Sequence, residues 1–197
     1  MPDPVDTEAG ELKIVPDPRF RPYWPITTIF REALGNEESR GAGYVARHPK
    51  SNALGAYQLT PIALEDIGWK DSNGAWTEKP GVADDNSFLF SPLAQETALK
   101  QFLALNWQRL QDSGLSQHAG QTIHGQKGDF VLTQNGLIAA IHRSGEPAVE
   151  AYLTDMFDHG WVSDKGRWSE EQQKIYLPLE TRLRKFSDIP YFRSDEH

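Results

Sequence analysis

The sequence predicts a mainly α fold with short β-hairpins. Apolar residues recur at helical spacing in several separate segments, most clearly over residues 91–113. Those segments open on helix-start signals: Thr60-Pro61, Ser91-Pro92 and the capping box Ser169-Glu170-Glu171-Gln172. Two related stretches, 68–77 and 160–169, pair Gly-Trp with a later Gly, a second Trp and a hydroxyl residue; in the first, Asn73-Gly74 is a hairpin-turn dipeptide.

Composition narrows the class. A chain of 197 residues is the natural length of one domain. Its hydrophobic fraction of 38% and charged fraction of 24% suit a packed core rather than a disordered chain. The net charge is −8 and no basic cluster stands out, so nucleic acid is not an expected partner. Cysteine is absent, which excludes disulfides, thiolate metal sites and a Cys nucleophile. The remaining His, Asp and Glu have no spacing that reads as a metal site, and Asp84-Asp85-Asn86 is too short a run for calcium. No metal and no cofactor is expected.

Residues 1–24 hold Pro2, Pro4, Pro16, Pro18 and Pro22 among acids, the pattern of an irregular extension, with Phe20, Tyr23 and Trp24 to anchor it. The stretch has neither the basic start nor the apolar run of a secretory signal. The domain proper is expected over 25–190. Its first helix starts at Pro25 with Ile26, Ile29, Phe30, Ala33 and Leu34 as the apolar face, then weakens at Gly35-Asn36 just before Glu37-Glu38. If that helix ran straight on, Glu37 would sit on its apolar face and Glu38 at the edge; an irregular turn at Gly35-Asn36 favours Glu38 instead.

Residues 41–54 read as loop. A second helix follows Thr60-Pro61, with Ile62, Leu64 and Ile67 apolar and Gly68 as its stop. The four Trp of the two Gly-Trp stretches have two readings: rings that cap the core, or platforms for sugar rings. The long helix from Ser91 ends at Gly114, and 115–130 reads as an exposed polar loop. A helix from Thr133 or Asn135 is apolar nearly all round at Leu137–Ile141 and so is buried. Gly145 and Pro147 end it, and a short helix follows through Val149, Tyr152, Leu153 and Phe157. Ile175, Leu179 and Leu183 stripe the last helix, which Pro178 should kink or split, and the tail from Asp188 reads as peripheral.

The functional signal is an ordered set. Glu37-Glu38-Ser39 is followed by a loop containing Gly and Pro, then Gly55-Ala56-Tyr57-Gln58, and later Ala139-Ala140-Ile141-His142-Arg143-Ser144-Gly145. In that order and spacing the motifs resemble those of the lysozyme-like lytic transglycosylases, over about residues 26–155, in the branch with His in the last motif. Arg40 after Glu-Ser, and Ile141 in a place where the family often has Tyr, depart from its pattern.

The resemblance implies a lysozyme-like all-helical domain that cleaves the MurNAc-β-1,4-GlcNAc bond of peptidoglycan. It assigns Glu38 as the acid that protonates the leaving oxygen and then takes the proton of the sugar 6-hydroxyl, which gives a 1,6-anhydro product. Hydrolysis by a muramidase, or glycan binding with little turnover inside a secretion or phage-tail machine, are the other outcomes it allows. A carboxylic acid donates at neutral pH only where burial raises its proton affinity, and Phe30 and Leu34, eight and four positions before Glu38, could supply that burial. Ser39, Tyr57, Gln58 and His142 are the expected substrate-binding residues. Gln58 suits an N-acetyl group, Ser39 could instead cap the helix end, and a lone His on a buried helix could be a hydrogen-bonded core residue. The expected partners are peptidoglycan glycan strands, with secretion or phage-tail machinery or an inhibitor protein besides, and the expected state is a monomer. The expected place is the periplasm or cell envelope; an acidic enzyme is not steered to an anionic wall and needs another agent to deliver it there.

Overall fold

The computed structural model describes residues 26–191 except 78 and 80, so the extension expected over 1–24 lies outside the described residues. Among the described residues the chain forms seven α-helices, two short 3-10 helices and one two-stranded antiparallel sheet. It is mainly α with a short hairpin. No described helix is long and apolar enough to cross a membrane. The contacts gather into two compact units, one described over 31–105 and the other over 26–30 and 106–191.

Helices α1 (Thr28–Ser39) and α4 (Pro92–Asp112) contribute residues to both units. The first unit also holds α2 (Pro61–Asp66) and α3 (Asp85–Leu89). The local start signals act as expected. Thr60 Oγ1 accepts from the Ala63 N–H with Pro61 in the first turn, and Ser91 Oγ accepts from the Ala94 N–H. Along α4, Ala94, Ala98, Leu99 and Leu103 are buried, and so are the polar Gln95 and Thr97.

Over 68–77 the expected hairpin shrinks to a single bridge between Lys70 and Trp76. Asp71 Oδ1 accepts from the N–H groups of Asn73 and Ala75 and rounds the turn, which Gly74 completes at φ +78°. Trp69 is buried, and its indole N–H donates to Gln101 Oε1 at 2.5 Å. Trp76 packs on Phe88 and donates to Asp85, which also pairs with Lys70 and Arg47. Trp69 is thus a core ring, and Trp76 is half-buried.

The second unit contains α5 (Gln134–Ser144), α6 (Glu146–Asp158), α7 (Glu170–Phe186) and the hairpin β1 (Thr122–Gly125) with β2 (Gly128–Val131). The hairpin replaces the loop expected over 115–130. Ile123 lies opposite Phe130 and both are buried, so one face of a very short ribbon supplies core. Thr133 caps α5 and Ser169 caps α7, the latter with both bonds of the capping box. Pro178 sits on an exposed face and α7 runs through it. Of the tail expected to be peripheral, the described part, 188–191, is tied in: Tyr191 is 1% exposed, its N–H donates to Asn135 Oδ1, and its ring meets the edge of Phe30.

Burial orders this unit. Residues Gly136–Ile141 of α5 are all buried, and α5 packs on α7. Gly136 sets how closely they approach, because a Cβ there would lie 2.6 Å from the Leu183 carbonyl oxygen. Backbone cannot rotate away, so Gly136→Ala must push the two helices apart. The expected result is a loss of about 1–3 kcal/mol of stability, although Ala favours a helix interior by about 1 kcal/mol over Gly. Urea unfolding checks it; a stabilised variant would contradict the close approach. Trp168 is also buried, against Tyr152 and Tyr176.

Candidate active site

Helix α1 does not break at Gly35-Asn36 as the sequence suggests; it runs on to Ser39. Its inward face also differs. Ile29 is 62% exposed, whereas Phe30 and Leu34 are fully buried. Arg31, Gly35 and Glu38 are half-buried beside that line, and Glu37 is exposed. Of the acidic pair, Glu38 is therefore the one turned toward the protein.

The end of α1 is closed by Ser39. Its hydroxyl donates to the Gly35 carbonyl at 2.7 Å and accepts from the Gly43 N–H at 3.1 Å. Arg40 (φ +52°), Gly41 (φ +83°) and Gly43 (φ +66°) turn the chain through left-handed backbone immediately after the helix. Ser39 is thus buried and caps the helix end.

The stretch from Ala46 to Leu59 folds as a tight double turn. Leu54 bridges both Arg47 and Leu59, and the Gly55 N–H donates to the Ala46 carbonyl at 2.7 Å. Ala53 to Tyr57 are buried, so this loop belongs to the core. Gln58 is half-buried and left-handed (φ +49°), and its side-chain NH2 donates to the Gly55 carbonyl at 2.8 Å. A non-glycine residue in that region costs about 1–2 kcal/mol, which the surrounding turn must offset.

Neighbouring residues of α4 hold this loop from within. The buried carboxamide of Gln95 accepts from the Ala56 N–H at 2.8 Å and donates to the carbonyls of Tyr44, Phe88 and Leu89 at 2.9–3.2 Å. Gly55 is required beside it, since a Cβ at that position would lie 1.9 Å from Gln95 Oε1. Glu96, with 14% of its side chain exposed, receives three donors. Arg31 reaches Oε2 at 2.7 Å, the Tyr44 hydroxyl reaches Oε1 at 2.6 Å, and the Tyr57 hydroxyl donates to the same Oε1. Burial, then the bond to Glu96 and its charge, push the Tyr57 phenol far above its ordinary value. The Tyr44 phenol is raised for the same reasons. Burial pulls the Arg31 guanidinium down, but the hydrogen bond and charge of Glu96 outweigh it and leave it raised. The Tyr57 hydroxyl is therefore held as a donor to Glu96.

Glu38, Ser39, Tyr57 and Gln58 thus lie in one compact unit, with Tyr57 facing inward and the Gln58 amide turned onto its own loop. His142 is half-buried on α5 in the other unit, at the end of the all-buried run Gly136–Ile141. The sequence reading missed Gln95, Glu96 and Arg31. The local signal for the first two is the run of three polar residues Gln95-Glu96-Thr97 between Ala94 and Ala98. The described residues contain no group of three or more His, Cys, Asp or Glu able to hold a metal ion. Comparison with protein-family models, curated proteins and solved structures gave no match to this chain.

Proposed function

We propose that this protein is a peptidoglycan-cleaving enzyme with a lysozyme-like catalytic fold. Glu38 protonates the glycosidic oxygen of the MurNAc-β-1,4-GlcNAc bond and then, as base, takes the 6-hydroxyl proton, so that the sugar closes on itself as a 1,6-anhydro end. The observation that carries this reading is the contrast within the acidic pair: Glu38 is half-buried at the capped end of α1 while Glu37 is exposed. The motif order that selects Glu38 in the sequence and the burial that selects it in space agree.

The lytic outcome is favoured over hydrolysis by Glu96. Hydrolytic glycosidases usually need a second carboxylate on the other side of the bond. Glu96 is the acid that α4 brings to this unit, and its oxygens already accept from Arg31, Tyr44 and Tyr57. A single-carboxylate mechanism uses Glu38 twice and needs no such partner. The substrate is then the glycan strand, and the place of action the periplasm or cell envelope, reached with the help of a delivery machine.

A second reading has its own support. The Gln58 amide donates to Gly55 rather than outward and so leaves the expected N-acetyl contact unmade, which suits a part with little turnover. Mass spectrometry of purified sacculi after incubation with the protein separates these. Muropeptides with 1,6-anhydro ends are expected. Reducing ends alone would make it a muramidase, and bound glycan with neither product would leave the binding reading.

A further inference from the structure

We propose that Glu96, acting through Tyr57, is a positioning residue for Glu38. This inference rests on the reading of Glu38 as the acid, and it assigns a role to a cluster that the motif set does not include.

Arg31, Gly35 and Glu38 recur at i, i+4 and i+7, so they share one side of α1. Two of the three meet the cluster directly. Arg31 pairs with Glu96, and the ring edge of Tyr57 lies so close to Gly35 that a Cβ there would be 3.3 Å from Cε1. Side chains of a helix lean toward its N-terminus, so the ground Glu38 covers is the turn that holds Gly35. Tyr57 is therefore the wall of that ground, and its hydroxyl is fixed by Glu96. One carboxylate thus fastens α1 through Arg31, the turn after it through Tyr44, and the loop of the second motif through Tyr57.

Gly35 is the second observation. A glycine inside a helix costs about 1 kcal/mol against Ala, and φ here is helical, so no backbone need selects it. What selects it is the room for Tyr57. The cluster holds the ring against α1 at the expense of helix stability, which is the pattern of a site whose geometry matters more than its stability.

The test measures kcat and KM on soluble, un-cross-linked glycan strands, together with Tm, for wild type, Glu38→Gln, Tyr57→Phe and Gly35→Ala. Tyr57→Phe keeps the ring and removes the hydroxyl that bonds Glu96; kcat should fall about tenfold with KM within about twofold, as for a sub-ångström misplacement of a reacting group. Gly35→Ala should lower kcat about threefold or more while Tm stays the same or rises. Activity and stability then move in opposite directions, which a purely structural role does not produce. A fall confined to Tyr57→Phe and matched by a lower Tm assigns Glu96 to stability alone and overturns the inference. Turnover abolished by Glu38→Gln but unchanged in both other variants also overturns it, and leaves the glycan-cleavage reading intact. A wild-type protein that releases no product overturns that reading and this inference with it.

Discussion

Gly55→Ala is expected to destabilise the protein by on the order of 3–5 kcal/mol, a large share of the 5–15 kcal/mol typical of a folded domain. Two effects add. Gly55 is left-handed (φ +77°), where a Cβ costs about 1–2 kcal/mol. The new Cβ would also stand 1.9 Å from Gln95 Oε1 and 2.5 Å from its Cδ, so the carboxamide must leave its place. Gln95 is 1% exposed and is the partner of one buried N–H and three carbonyls. Each buried polar group left unsatisfied costs about 1–3 kcal/mol. Denaturant unfolding at 25 °C reads the loss directly. Because Gly55→Ala and Gln95→Ala break the same set of bonds, the double variant should lose less than the sum of the singles. A Gly55→Ala protein within about 1 kcal/mol of wild type would mean that Gln95 does not organise the loop.

That loop also shows how far the sequence could be read. Helix starts were legible because they are local: Thr60, Ser91, Thr133 and Ser169 each accept from a backbone N–H three residues on. Buried α5 was legible because a helix without a polar face has one place to go. The hairpin at Thr122–Val131 was not, since strands of four residues are too short for alternation to register. Helix faces were partly misread. Ile29, Ile62 and Ile175 are 62%, 71% and 47% exposed, because which stripe is covered depends on neighbours from elsewhere in the chain. The same holds for Gly35. It reads as a helix breaker in the sequence, and tertiary packing uses it instead as the seat of the Tyr57 ring.

The candidate site divides in the same way. Motif order pointed to Glu38, which is half-buried where Glu37 is exposed. The burial is not supplied by residue spacing alone, as the Phe30 and Leu34 argument assumed; α1 meets Tyr57 at Gly35, one turn before Glu38. Glu96 carries no motif and could be recognised only once Arg31, Tyr44 and Tyr57 were seen to converge on it. The likeness of 68–77 to 160–169 does not extend to burial: Trp69 is buried where Trp161 is half-buried, and Trp76 is half-buried where Trp168 is buried.

Glu38 also stands at the helix end that the macrodipole makes unfavourable for an acid. It lies in the last turn of α1 beside Glu37, with no basic residue in that turn. Negative charge at a helix C-terminus is unfavourable by about 0.3–1 kcal/mol. Glu38→Gln keeps the shape and most hydrogen bonding, removes a charge from that end, and cannot donate the proton. The fold should therefore be kept while chemistry is lost. Loss of a general acid lowers rates by about 10²–10⁴-fold. The decisive measurement is the rate of muropeptide release from purified sacculi by wild type, Glu38→Gln and Glu37→Gln at equal concentration. The account predicts that release by Glu38→Gln falls by about 10²–10⁴-fold and that Glu37→Gln stays within about twofold of wild type, as expected of an exposed side chain. Release by Glu38→Gln at the wild-type rate would contradict it.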